Sequence, residues 1–211
     1  MKRLFCMAVW VCLTTVSGRA QQPFKRELAF GFGGGVTLSS VGFTPRVDQG
    51  LLLGRQGGLM VRWITEEHLG LIAELNYTQQ GWKEDFYSRT LNYIELPFLT
   101  HLYFGKKRVR FFVNAGPKIG YMLSESTDEN LNGNQPNRTS EQHGMAVKNK
   151  FDWGLCGGPG LEFRTGIGSF LLESRYYFAL GNIYGNSKKD FFPKSSPQVI
   201  SVKLGYLFTV R

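Results

Sequence analysis

The chain has 211 residues, enough for one domain of ordinary size, and a formal charge of +9. Its basic residues are scattered through strand-like segments and form no recognisable binding motif, so a nucleic-acid partner is not expected. Beyond residue 20 no stretch is long and apolar enough for a helical span, so any membrane crossing must rest on strands.

Residues 1–20 read as a secretory signal peptide. Lys2 and Arg3 form a basic start, Leu4–Val16 is mainly apolar, and Gly18 and Ala20 supply small residues before a cut after Ala20. Its removal takes away Lys2, Arg3 and Arg19, lowering the formal charge from +9 to +6. Cys6 and Cys12 leave with it, so Cys156 remains without a disulfide partner and reads as a small interior filler. Residues 21–211 form the expected barrel domain.

Leu28–Val36 alternates Leu28, Phe30 and Phe32 with Gly31, Gly33 and Gly35, the period-two pattern of a strand. A loop is expected at 37–56. Gly57–Thr65 then sets Leu59, Val61 and Trp63 against Met60, Arg62 and Ile64. After a short turn near Glu66, His68–Gln79 sets Leu69, Leu71, Leu75 and Tyr77 against Gly70, Ile72, Glu74 and Asn76. A second loop is expected at 80–89.

Thr90–Ser124 carries the clearest hairpin. Ile94, Leu96, Phe98, Leu102 and Phe104 share one face of its first strand, and Glu95, Pro97, Leu99, His101 and Tyr103 the other. A Gly-Lys-Lys turn leads to a second strand, in which Phe111, Val113, Ile119 and Tyr121 oppose Arg110, Asn114, Lys118 and Gly120. Residues 125–149 are polar and read as a long exposed or disordered loop. Lys150–Arg164, Ser169–Phe178 and Gln198–Val210 complete the strands, with a short turn near Gly166 and a loop at 181–197. Pro117 and Pro159 each remove a ladder donor and call for a bulge or an interruption.

The fold class that follows is all-β: an eight-stranded antiparallel up-and-down transmembrane β-barrel. Short turns and long connections alternate, as in outer-membrane barrels with periplasmic turns and external loops. In lipid the apolar rows face outward and the lumen receives the charges. The expected interior network is Arg62, Glu74, Glu95, Arg110, Lys118, Asp152, Glu162, Glu173, Arg175 and Lys203. Five acids match five bases, so the set reads as a structural plug with its charges compensated.

No catalytic set, cofactor or metal site is expected. A lipid-modifying enzyme would need a His-centred site. The mature chain offers His68, His101 and His143, the last of them near Ser140 and Glu141. A further alternative is a soluble exported barrel that binds an apolar ligand on the Phe111/Val113 face. Passive porin activity is a fourth possibility. The expected partners are outer-membrane lipid, the barrel-assembly machinery and envelope proteins reached through the external loops.

The tract Tyr93-Ile-Glu-Leu-Pro-Phe, with Arg110-Phe-Phe-Val-Asn-Ala-Gly-Pro, Gly120-Tyr and the late Lys203-Leu-Gly-Tyr-Leu-Phe, resembles the PorT-type outer-membrane β-barrel proteins of the Bacteroidetes. That resemblance implies an eight-stranded barrel in the cell outer membrane. Some members of that family serve type IX secretion and the related gliding apparatus. The Ile94-Glu-Leu-Pro tract is a fold signature and implies no active site.

Overall fold

A computed structural model describes residues 26–105, 108–129, 140–185 and 191–210. The signal peptide expected at 1–20 lies outside the described residues. The strands are β1 (Glu27–Thr44), β2 (Leu52–Glu66), β3 (Leu69–Lys83), β4 (Tyr87–Phe104), β5 (Val109–Glu129), β6 (Phe151–Arg164), β7 (Ser169–Ala179) and β8 (Lys194–Val210). Each pairs antiparallel with its neighbour in sequence, and β1 pairs with β8 to close the barrel. Closure leaves no open edge, the condition for strands to cross lipid.

The side chains point the way a membrane barrel requires. Leu96 and Leu204 are 51% and 66% exposed on the outside, while Glu95, Lys118 and Lys203 are only 4–5% exposed within. Phe111 also faces outward, so the apolar cavity of a soluble ligand-binding barrel does not exist on that face. Lipid is the solvent that these apolar rows require, and the closed ring has the build of a transmembrane barrel.

The strands run further than the sequence pattern suggests. β1 continues to Thr44 and β2 starts at Leu52, so the connection expected at 37–56 shrinks to 45–51. The 80–89 loop becomes a tight hairpin at 84–86. β5 extends to Glu129 and β8 begins at Lys194, trimming the 125–149 and 181–197 loops. The cause is a change of solvent along these extended strands. In β1 the outward row is apolar through Leu38, then becomes Ser40, Gly42 and Thr44. The inward row changes in the opposite sense, from glycines, Thr37 and Ser39 to Val41 and Phe43. Above the bilayer the barrel is wet outside and apolar inside.

The strand lengths agree with this division. β5 has 21 residues. At about 3.3 Å per residue and about 45° of tilt it rises roughly 45–50 Å, about twice the apolar band of about 25 Å.

The short turns, the start of β1 and the end of β8 lie at one rim, which this asymmetry makes periplasmic. Gly105, at the end of β4, takes a φ of +108°, a left-handed value that a side chain would strain. The prolines interrupt pairing without ending strands. The β4–β5 ladder lapses between Pro97↔Lys118 and Thr100↔Ala115, beside Pro117. The β6–β7 ladder lapses between Gly157↔Tyr176 and Gly160↔Glu173, beside Pro159.

Candidate functional site: a filled lumen under an external cap

The lumen is built from the inward positions of all eight strands. Nearest the periplasmic rim, Arg62 Nη2 donates to Glu27 Oε1 at 2.8 Å, and Arg62 Nη1 lies 3.0 Å from Glu162 Oε1. Arg164 pairs with Glu27 and closes this cluster. Arg110 sits beside it, its guanidinium 4.6 Å from the centre of the Tyr103 ring.

Above this rim, Phe112 packs with Met60, Ile64, Tyr103, Leu171 and Leu207 in an apolar plug. Gly160 makes the space for it, because a Cβ there would lie 2.2 Å from Phe112 Cζ. The His101 imidazole contacts Asn114 Oδ1 at 2.7 Å, and Asn114 Nδ2 donates to Glu173 Oε1 at 2.8 Å.

Midway up, Arg175 grips two carboxylates. Its Nη1 and Nη2 each donate to Glu74 at 3.1 Å, and Nη2 donates to Glu173 Oε2 at 2.8 Å. Lys203 Nζ donates to Glu74 Oε1 at 2.6 Å. Two acids and two bases thus form one neutral quartet. Higher still, Lys118 pairs with Glu95, whose other oxygen accepts from Thr78 Oγ1 at 3.0 Å. The Lys118 ammonium also lies 3.3 Å from the Tyr177 ring centre. A residual cavity of about 20 Å³ remains among Asn76, Thr78, Glu95, Lys118, Arg175 and Tyr177. That is room for about one water.

Of the ten expected interior charges, Arg62 with Glu162, Glu95 with Lys118, and the Glu74–Glu173–Arg175–Lys203 quartet are brought into direct contact. Asp152 is buried beside Lys118, Tyr177 and Gln80. Arg110 is only partly buried and uses an aromatic ring. Glu27 and Arg164 belong to the network and were not in the expected set. Both have inward parity, Glu27 with Ala29 and Arg164 with Glu162, but both sit at strand ends where the pattern stops.

The external mouth is closed by a small core of the ordinary water-soluble kind. Val41, Phe43, Trp82, Tyr87, Leu91, Tyr184 and Phe192 are buried together there. Phe43 packs edge-on to Trp82 at 5.3 Å between ring centres and against Phe192 at 5.0 Å. One turn of helix, Glu141–Gly144, lies over the cluster. Glu84 anchors it by accepting from Trp82 Nε1 at 2.9 Å and Gln142 Nε2 at 3.0 Å, and by contacting His143 Nε2 at 2.9 Å. The His143 ring stacks on Tyr87 with centres 3.8 Å apart. Arg89 donates to Met145 O at 2.6 Å and to Glu125 at 2.7 Å.

The Tyr184 hydroxyl donates to Gln142 O at 2.9 Å, and burial raises its pKa above the ordinary phenol value. The 140–149 part of the expected exposed loop is therefore packed structure, while 130–139 lies outside the described residues.

The three histidines do not converge. His68 is at the β2–β3 turn, His101 in the lumen and His143 in the cap. His143 takes Glu84 as its carboxylate, not Glu141, and meets Ser140 through the backbone, His143 N to Ser140 O at 3.0 Å. Among the described residues no group of three His, Cys, Asp or Glu side chains is placed to hold a metal ion.

The family model described as "Outer membrane protein beta-barrel domain" matches residues 19–185. No curated protein matches the chain. Among solved structures, Ail, the attachment invasion locus protein of Yersinia pestis, is 16% identical, with 86% of this chain and 99% of that chain covered and a TM-score of 0.45. Neisserial surface protein A is 13% identical, with 84% and 97% covered and a TM-score of 0.49. The outer membrane enzyme PagL is 13% identical, with 82% and 97% covered and a TM-score of 0.49.

Proposed function

The chain belongs to the outer membrane protein beta-barrel domain family, and from that premise we propose a non-conducting, non-enzymatic barrel that holds a folded external cap for an envelope partner. The observation that carries this reading is the double closure of the axis. Paired charges and the Phe112 plug fill the lumen, and Phe43, Trp82, Tyr184 and Phe192 seal the mouth above them. Eight strands enclose an interior just wide enough for side chains, and these side chains occupy it.

A rigid cap suits presentation better than passage. Glu84, Arg89 and Tyr184 tie β3, β4, the helical turn and the β7–β8 connection into one surface. The histidines serve separate hydrogen bonds, which favours anchoring or scaffolding over hydrolysis. Within the family, the Tyr93–Phe98 tract supports a PorT-type assignment in the Bacteroidetes, and a link to type IX secretion rests on that resemblance.

Planar-bilayer recording of the purified barrel tests the closure, with an absence of discrete conductance steps expected. Steady unitary currents would overturn it. Crosslinking in native membranes from cysteines placed in the cap, such as at Gly144, tests the partner. An adduct with one envelope protein supports presentation. Failure of every cap position to form an adduct counts against it.

A further inference from the structure

At the external end β5 outruns one of its two neighbours. It pairs with β4 as far as Tyr87↔Glu129, but its pairing with β6 ends at Tyr121↔Phe151. The last backbone bond on the β6 side among the described residues is Met122 N to Lys150 O at 2.8 Å. The cause lies in the segment that enters β6. Lys148 N and Asn149 N donate to Ile183 O at 3.0 and 3.1 Å, which draws that segment toward the β7–β8 connection and away from β5. Leu123–Glu129 is therefore paired on the β4 side alone among the described residues, and all of its residues are exposed.

At about 3.3 Å per residue this free edge is roughly 23 Å long. It stands in water, because the residues it faces on the outside of β4 are Ser88, Thr90 and Asn92. Alternate residues of such an edge turn their N–H and C=O groups to the open side, where water or another strand must satisfy them. An extended segment laid along it gains main-chain hydrogen bonds, and side chains then decide which segment fits.

Here the side chains are acidic. Leu123–Glu129 carries Glu125, Asp128 and Glu129 and no base. Glu125 accepts from Arg89 at 2.7 Å. Asp128 and Glu129 stand in no ion pair among the described residues. The groove of about 650 Å³ that they line at the β3–β4 hairpin adds Glu84 and Asp85 against one base, Lys83. Edge-to-edge pairing of two barrels would set the carboxylates of both copies side by side, which like-charge repulsion opposes. A basic strand meets the same carboxylates with opposite charge.

We propose that the free edge of β5 receives an extended, lysine- or arginine-rich segment of an envelope partner as an added strand, with its bases opposite Asp128 and Glu129. The partner is the one that cap presentation calls for, a reading on which this one rests, and the edge fixes its chemistry.

Amide exchange of the full barrel chain in neutral detergent, read residue by residue by NMR, tests this. The probe is a synthetic octapeptide that alternates lysine and threonine. One control carries glutamate in place of lysine. The other is the lysine peptide methylated at its backbone nitrogens, which keeps the charge and removes the ladder donors. With the lysine peptide, alternate amides in Leu123–Glu129 should exchange about tenfold more slowly, and with either control they should not. Asp128→Lys/Glu129→Lys should bind the lysine peptide at least about tenfold more weakly, because each exposed pair contributes up to about fivefold and repulsion replaces it. Heat-modifiable gel mobility confirms that the variant is folded. No protection of the edge amides, equal binding of the methylated peptide, or undiminished binding by the double variant would overturn the proposal. So would protection of the same amides in the barrel alone that rises with its concentration, since the occupant would then be a second copy. A barrel that forms a partner adduct from Gly144 but takes no peptide on this edge would keep presentation and lose the edge.

Discussion

Replacing Arg175 with Met isolates what charge pairing contributes to the lumen. The guanidinium makes contacts of 2.8–3.1 Å with both Glu74 and Glu173, and its side chain is only 10% exposed. Removing it turns the neutral quartet into two carboxylates and one ammonium. Lys203 stays 2.6 Å from Glu74 but stands 3.8 Å from Glu173, so Glu173 loses its close cation. Stranding a buried charge in this way costs about 3–5 kcal/mol.

The double variant Arg175→Met/Glu173→Gln tests the cause. It restores neutrality, and a glutamine carbonyl can still accept from Asn114 Nδ2. Its loss should be no more than about 1–2 kcal/mol, because a buried pair replaced by neutral groups of similar volume often changes stability little. The assay is urea unfolding of the refolded barrel in lipid vesicles, followed by Trp fluorescence and gel mobility. A single variant as stable as the parent would refute the reasoning. So would a double variant that loses the sum of the two single losses, since that would mean the residues act separately.

Three further outcomes follow from the geometry. Leu204→Arg, on the lipid face and near mid-bilayer, should destabilise by about 2–4 kcal/mol in vesicles, while Ser126→Arg, exposed opposite the outward Thr90 and above the band, should change stability by less than about 0.5 kcal/mol. Gly160→Leu should displace the Phe112 ring and cost about 1–3 kcal/mol or more, visible as a lowered urea midpoint. Glu84→Ala removes the acceptor for Trp82 and Gln142 and the partner of His143, so amide exchange in residues 140–147 should quicken at least tenfold while the barrel strands keep their protection.

The transmembrane half of this protein was legible because one rule governs it. Lipid outside and a narrow lumen inside impose apolar and polar rows that alternate without a break, so Arg62, Glu74, Glu95, Lys118, Arg175 and Lys203 could be placed by parity alone. Partner choice within the lumen was less legible. Parity puts Glu173 and Lys203 inside, but only the closed ring brings Arg175 between Glu74 and Glu173.

The external half was misread as loop because the rule reverses there. On β4 the outward residues are Ser88, Thr90 and Asn92, then Ile94 and Leu96, while the inward ones are Tyr87, Leu91 and Tyr93, then Glu95. A search for one continuous apolar face stops where the polar and apolar rows exchange places, next to the register shift at Asn92/Tyr93. The exchange is itself a signal. Apolar residues that keep period two but change parity, as Leu38 gives way to Val41 and Phe43, mark the height at which a strand leaves the bilayer.

The longer strands, β1, β4 and β5 among them, thus encode two environments in succession. The lower part is held by compensation of buried charge and the upper part by removal of Trp82, Tyr184 and Phe192 from water. Burial of apolar surface needs water around it, so the cap can form only where the strands project beyond the lipid. The extra length of β1, β4 and β5 is therefore what makes a folded cap physically possible.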